Sequence, residues 1–221
     1  MNWVNRTLNS SIGCKAVMAV TGIALVGFLL AHLLGNLLVF AGADAINQYA
    51  QKLREFLPIL WAMRLGLVGF FLIHLFAAIK LTKINREAKP IKYRVKSNVK
   101  ATFASRYMGL TGAVVLGFVL FHLAHLTFRW THPEFQNLGA YDVYSMLLAS
   151  FQNPILALCY SLCIILLMLH LNHGISSLFQ TLGLYNSKYT PWLRKFGPSI
   201  SIFLGLGYLS IPLSIMIGFI K

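Results

Sequence analysis

Five stretches of this chain contain no charged residue: 16–43, 65–79, 107–128, 143–187 and 196–220. A helix needs roughly 20 apolar residues to cross the hydrocarbon of a bilayer. In lipid, every backbone N–H and C=O must find its partner inside the protein, so apolar runs of this length are read as helices. The second run is short, but Arg64 can snorkel outward and extend it. The expected spans are therefore 16–41, 58–81, 106–128, 154–179 and 198–220, an all-α bundle of five transmembrane helices forming one domain over 1–221. With 57% hydrophobic and 11% charged residues, the composition excludes a soluble globular domain. The first run is too long for a signal-peptide core and has no small-residue cleavage site, so it is expected to stay in the mature chain.

A net charge of +14 invites a nucleic-acid reading, but the distribution of the charge argues against it. Of the 19 basic residues, 14 fall before span one, between spans two and three, or between spans four and five, and 5 fall in the alternate segments. The loop between spans two and three alone carries Lys80, Lys83, Arg86, Lys89, Lys92, Arg94, Lys96, Lys100 and Arg106. The positive-inside rule then predicts a multi-pass protein of the cytoplasmic membrane, N-terminus inside and C-terminus outside. The basic loop sets topology and could also dock a cytoplasmic protein or lipid headgroups. Cys14, Cys159 and Cys163 lie in or at the edge of spans and read as small apolar fillers.

Six of the seven histidines fall inside spans: His32, His74, His122, His125, His170 and His173. An imidazole in hydrocarbon is costly, and its presence is by default a statement about function. A single one would be helix-to-helix glue, yet spans one to four each carry at least one. Depth sorts them. Helix rise puts His32 and His122 roughly 25 and 24 Å from the inner edge. The same rise puts His74, His170 and His173 roughly 9, 15 and 10 Å from it. Two layers result, an outer one on spans one and three and an inner one on spans two and four. Paired imidazoles are standard axial ligands of haem iron, and the core of a helix bundle is where such groups sit.

A repeat reinforces the pairing. "MAVTGIALVGFLLAHL" from Met18 and "MGLTGAVVLGFVLFHL" from Met108 share M-x-x-T-G-x4-G-F-x3-H-L, offset by 90 residues. The match sets His32 against His122 rather than His125 and places Thr21 with Thr111 and Gly22 with Gly112. Gly27 and Gly117 supply small residues that let a flat group approach the backbone. Spans two and four echo more weakly, "HLFAAI" from His74 against "HLNHGI" from His170. That alignment selects His170, whereas depth alone favours His173. We take His170 as the ligand and His173 and His125 as neighbouring hydrogen bonders; His132 is expected to be solvated.

At this point the chain resembles a family. "SSIGCKAVMAVTG" (10–22), "HLLGNLLVF" (32–40), "DAINQYA" (44–50), "SRYMGLTG" (105–112) and "HLNHGISSLFQTLGL" (170–184) look like segments of the dihaem cytochrome b membrane anchor of succinate:quinone oxidoreductases and quinol:fumarate reductases. His170 stands thirteen residues before Gly183, as the family's span-four ligand stands before its glycine, and 42 residues separate His32 from His74. The resemblance implies two b haems, the outer held by His32 and His122 and the inner by His74 and His170. It implies a flavoprotein and an iron–sulfur partner on the cytoplasmic side, and a membrane quinone, menaquinone, as the electron acceptor or donor. The chain itself has no flavin or dinucleotide fingerprint and no iron–sulfur cysteine set, so it would not oxidise succinate. Some fumarate-reducing members carry a glutamate two residues before the span-four ligand; Met168 stands there, so a proton path of that kind is not expected.

By the same resemblance, a quinone site is expected near the outer haem, where Asn36, Asn47, Gln48 and Glu55 are candidates. An inner site using Ser11 and Lys15 is the competitor. Two other readings compete for the whole chain. A transporter with a histidine pathway would want an intramembrane carboxylate, and no span core holds one. A dihaem anchor of another quinone-linked oxidoreductase is the second, and only the 170–184 segment argues against it.

Overall fold

A computed structural model describes residues 6, 10–88 and 102–221. The chain forms α1 (Ser11–Asn36), α2 (Ala43–Glu55), α3 (Leu57–Glu87), α4 (Phe103–Arg106), α5 (Met108–His122), α6 (Val143–Phe151), α7 (Pro154–Thr181) and α8 (Thr190–Met216). Among the described residues there is no strand, and five helical segments are long and apolar enough to cross a membrane. They are Ser11–Ala41, Leu57–Glu87, Met108–Thr127, Pro154–Thr181 and Thr190–Met216. The protein is a multi-pass helical membrane bundle. Of the basic loop, Lys89, Lys92, Arg94, Lys96 and Lys100 lie outside the described residues. The end of the bundle bearing that loop and the start of α1 is called the basic end here, and the other the far end.

Local chemistry sets the boundaries. Ser10 caps α1 by accepting from the Gly13 amide at 3.0 Å. Asn153 accepts from the Ile155 and Leu156 amides, with Pro154 at the first turn of α7. The last span starts at Thr190, eight residues before the expected 198, and runs through Pro198. Hydropathy placed its start too late because Arg194 and Lys195 sit in the second turn of a helix that extends past the apolar run. The uncharged run 143–187 holds two helices, because Asn153 and Pro154 interrupt it.

The bundle has an uneven packing plan. Helix α1 packs along α3, α5 packs along α7, α7 packs along α8, and α1 also touches α7 and α8. Neither α1 with α5 nor α3 with α7 forms a packed pair. Helix α3 leans on the others so lightly that Ala77 is its one buried residue. In lipid the apolar effect does not drive helices together, and close approach over small residues does. At Gly205 a β-carbon would run into the Met168 side chain, and at Gly207 it would come within 2.7 Å of Leu33. Leu33, Leu171, Ile175 and Leu204 form the core at that seam.

The far end is closed by polar clamps. Asn47 on α2 accepts from the Val143 and Tyr144 amides at 2.9 and 3.0 Å and donates to Asp142 at 3.2 Å. Arg129 takes a left-handed backbone (φ 57°). Its guanidinium donates to the carbonyls of Phe135, Leu138, Gly139 and Ala140. Burial pushes the Asp142 carboxyl up, but hydrogen bonds from Ser145 and Asn47 and the charge of Arg129 outweigh it and hold the group below the usual carboxylate range.

Candidate functional site: two layers of facing imidazoles

The repeated segments on α1 and α5 each build half of two layers. Toward the far end, His32 and His122 face each other across the unpacked α1–α5 gap, ring centroids 6.0 Å apart and planes at 87°. The phenylalanine four residues before each is its neighbour: Phe28 stacks on His32 at 5.2 Å, and Phe118 tilts on His122 at 6.0 Å. Helix α8 carries no histidine, but Tyr208 reaches this layer. It donates to the Leu29 carbonyl at 2.7 Å and lies 6.2 Å from the His32 ring.

The Thr-Gly pairs of the same repeats serve the other layer. Thr21 meets His74, with 3.0 Å from its hydroxyl to Nδ1. Thr111 meets His170, with 3.4 Å to Nδ1. Each hydroxyl has one proton, and it is spent on the helix behind: Thr21 donates to the Val17 carbonyl at 2.7 Å and Thr111 to the Met108 carbonyl at 3.1 Å. Each threonine oxygen is therefore the acceptor, and each imidazole carries its proton on Nδ1. The Met18 carbonyl, 3.3 Å from the Thr21 hydroxyl, is a second acceptor beside the His74 ring. This network assigns the tautomer and leaves Nε2 of His74 and of His170 with a free lone pair.

The adjoining glycines make the approach possible. A β-carbon at Gly22 would stand 3.7 Å from Cε1 of His74, and one at Gly112 would stand 3.3 Å from Cε1 of His170, tighter than most real contacts. At Gly27 and Gly117 a β-carbon would meet nothing within 4 Å. His74 and His170 lie within electrostatic reach of each other, again across a helix pair, α3 and α7, that does not pack. Eleven residues separate Thr21 from His32 and Thr111 from His122, so the layers stand roughly 16 Å apart along the helices.

The remaining histidines are differently employed. His125 is fully buried in a π-helical turn, Leu123–Thr127, at the end of α5. Its Nδ1 lies 2.8 Å from the Tyr160 hydroxyl and its Nε2 3.4 Å from the Ser150 hydroxyl. Ser150 spends its proton on the Met146 carbonyl. The order is therefore Tyr160 O–H to Nδ1, then Nε2–H to Ser150, and neither nitrogen is left to bind anything else. Nothing in the sequence singled out Tyr160 or Ser150. His132 is half-buried rather than solvated, stacked on Phe135 at 4.9 Å and 4.8 Å from the His125 ring. The expectation failed because loop 129–142 folds back over the far end under the Arg129 clamp.

His173 lines a polar cavity of about 160 Å³ at the basic end with Thr102, Ser105, Ser176, Ser177, Gln180 and Tyr185. An adjoining cavity of about 300 Å³ shares Ser177 and Gln180 and adds Ile12, Lys15 and Thr181. Ser11 starts α1 beside it, half-buried. The far-end candidates do not converge. Asn36 donates to the His32 carbonyl within its own helix, Asn47 is the clamp described above, and Gln48 and Glu55 are exposed.

Chemically, the described residues hold no group of three or more His, Cys, Asp or Glu able to close around a metal ion. They hold one pair of imidazoles in ring contact across a gap between helices, His32 with His122, and two more, His74 and His170, within electrostatic reach of each other. Such a pair could supply two imidazole donors to one metal ion whose other positions a further ligand would fill. No family model, curated protein or solved structure matches this chain.

Proposed function

We propose that the chain is a dihaem cytochrome b that anchors a quinone-linked oxidoreductase in the membrane, in the manner of succinate:quinone oxidoreductase anchors. The observation that carries the reading is the paired geometry: His32 against His122 at 6.0 Å, and His74 and His170 each seated by the same Thr-Gly device. Two metal–imidazole bonds of about 2 Å plus the ring radii give a centroid separation of roughly 6 Å. The outer pair therefore has the separation the group needs, and the inner pair supports the reading through the repeated Thr–His contact. His32 and His122 would hold the outer haem and His74 and His170 the inner; bound there, each supplies one-electron redox chemistry.

The chain's own part is to orient and insulate. Thr21 and Thr111 hold the inner imidazoles by Nδ1, as acceptors on the far nitrogen commonly orient metal-bound histidine. Tyr208, Phe28 and Phe118 wall the outer pair. The two layers give electrons a relay from a cytoplasmic flavoprotein and iron–sulfur pair at the basic end to menaquinone in the membrane, or the reverse. The N-terminus and the basic loop would face the cytoplasm.

The experiment is a reduced-minus-oxidised visible spectrum of the purified chain with haem counting. Two b haems are expected. His32→Ala, His122→Ala, His74→Ala and His170→Ala should each retain one, and His125→Ala and His173→Ala both. A wild-type chain without haem refutes the reading and returns the histidines to a transport pathway.

A further inference from the structure

The imidazoles of the two layers are held by different means. His74 and His170 have hydroxyl acceptors on Nδ1. Among the described residues, no hydrogen bond reaches the ring of His32 or of His122, so packing alone orients them. Around His122 that packing is made by Phe118, tilted at 6.0 Å, and by Tyr160 of α7, at 6.2 Å and 58°. Tyr160 is the fixed member. It is 4% exposed, and its ring meets Phe118 and Phe151 edge-on at 5.2 and 5.0 Å and Phe121 at 5.8 Å. Its hydroxyl donates to His125 Nδ1 at 2.8 Å, and His125 is tied in turn to Ser150 of α6. A ring caged at its edges and anchored at its tip has little rotation left. The turn of the helix makes this lock possible. In a continued α-helix, His125 would follow His122 on the same face, toward the α1–α5 gap. The chain instead widens into a π-turn directly after His122, closed by the Phe128 amide on the Leu123 carbonyl at 2.8 Å. His125 thereby reaches Tyr160 and Ser150, and His122 alone is left facing His32. Turns of this kind recur at functional sites.

Resting on the dihaem reading, we infer that Tyr160 is the positioning residue of the outer site: locked by His125, it sets the plane of the His122 ring. The action is steric. Ring centroids 6.2 Å apart are in packing contact, and the single proton of the Tyr160 hydroxyl is committed to His125. The plane matters because two axial imidazoles act together on the d orbitals of the iron. Crossed rings leave the two orbitals that overlap them nearly equal in energy, whereas parallel rings split them. The planes of His32 and His122 stand at 87°, so the outer site is built for the crossed case. His125, which has no free nitrogen for a metal, thus gains a role: it acts on His122 through Tyr160.

The test reads the oxidised holoprotein by low-temperature electron paramagnetic resonance, with haem counted in each sample. The outer signal is the one that His122→Ala removes. In wild type it should have the large leading g value of crossed imidazoles. Tyr160→Leu, which takes away the ring, should move that value down toward the parallel range and leave the inner signal in place. Tyr160→Phe and His125→Ala, which keep the ring but release its tip, should shift it less and in the same direction. His125→Gln, whose carbonyl can accept from Tyr160 and whose amide can donate to Ser150, should restore the wild-type value. An unmoved outer signal in Tyr160→Leu with both haems bound overturns the inference, since the haem or His32 would then set the plane. So does equal movement of both signals, which would report a general loosening of the bundle, and so does a His125→Gln signal displaced as far as that of His125→Ala. If Tyr160→Leu loses the outer haem, Tyr160→Phe, which keeps the packing volume, decides: an unmoved signal there overturns the lock. A wild-type protein without haem fails the dihaem reading itself, a result distinct from all of these.

Discussion

The contact from Thr21 to His74 gives the sharpest test of how the inner layer is built. Thr21→Val keeps the shape of the side chain and removes the hydroxyl acceptor 3.0 Å from Nδ1, leaving the Met18 carbonyl as the ring's remaining acceptor. A hydrogen bond of this kind has a net worth of about 1 kcal/mol, and a donor left unpaired would cost about 1–3 kcal/mol, a cost the Met18 carbonyl offsets in part. Loss of a second-shell partner commonly weakens metal binding about 10–100-fold, equivalent to about 1.4–2.7 kcal/mol. The two estimates overlap, so the expected effect is a ten- to hundredfold weaker hold on the inner haem. Loss of the Thr21 back-bond to Val17 should not add to this, since such bonds support a helix little. The assay is haem transfer to a soluble acceptor protein in a His32→Ala background, where the inner pair alone remains. Thr21→Ser should restore the wild-type rate. Thr111→Val should show the smaller effect, because its contact is at 3.4 Å, near the limit of a useful bond. Wild-type retention in Thr21→Val, or selective loss of the outer haem from the otherwise unmodified chain, would refute the reasoning.

Other consequences are open to direct measurement. His125→Ala empties a fully buried site and strands the Tyr160 hydroxyl; a loss of about 2–4 kcal/mol is expected by thermal melting in detergent, with both haems kept. Because the Asp142 carboxyl is held below its unfolded value, its contribution to stability is present above the ordinary carboxylate range and is lost as pH falls through the folded-state value. The melting difference between wild type and Asp142→Asn should accordingly be largest at neutral pH and close below pH ~4. Cysteine labels placed in the 83–100 loop should react only from the cytoplasmic side and labels after Lys221 only from outside; the opposite pattern would invert the inner and outer layers. In an assembled complex, His32→Ala should leave the inner haem reducible by succinate and stop menaquinone reduction. His74→Ala should block succinate from reducing the outer haem, as seen by anaerobic stopped-flow absorbance.

Hydropathy carried the architecture, since a charge-free run of this length in lipid has little alternative to a helix, and the five spans are present. The pairing of His32 with His122 was legible from the repeat, because equal positions on two helices of the same direction share a depth. The role of the Thr-Gly half of that repeat was not. Depth places Thr21 and Thr111 level with each other, and only the packing of α1 on α3 and of α5 on α7 shows that each serves a histidine of its neighbour. His132 was misjudged because a loop's solvation depends on what folds over it. Tyr160, Ser150 and Tyr208 had no sequence signal at all: a hydroxyl in an apolar helix carries no mark of the partner it will find.

The Thr–His contact occurs twice, in α1 with α3 and in α5 with α7, and these two hairpins run in the same sense through the bundle. That is the mark of a duplicated two-helix unit turned about an axis along the membrane normal. Perfect duplication would give each pair of related histidines identical surroundings on both sides of the axis. Helix α8 belongs to neither copy. It packs on α7 from one copy and α1 from the other, and it brings Tyr208 to His32, whereas the tyrosine at the same 6.2 Å from His122 is Tyr160 of α7. The fifth helix is thus where the symmetry ends: each ring of the outer pair has a tyrosine beside it, but one of the two comes from the span that carries no histidine.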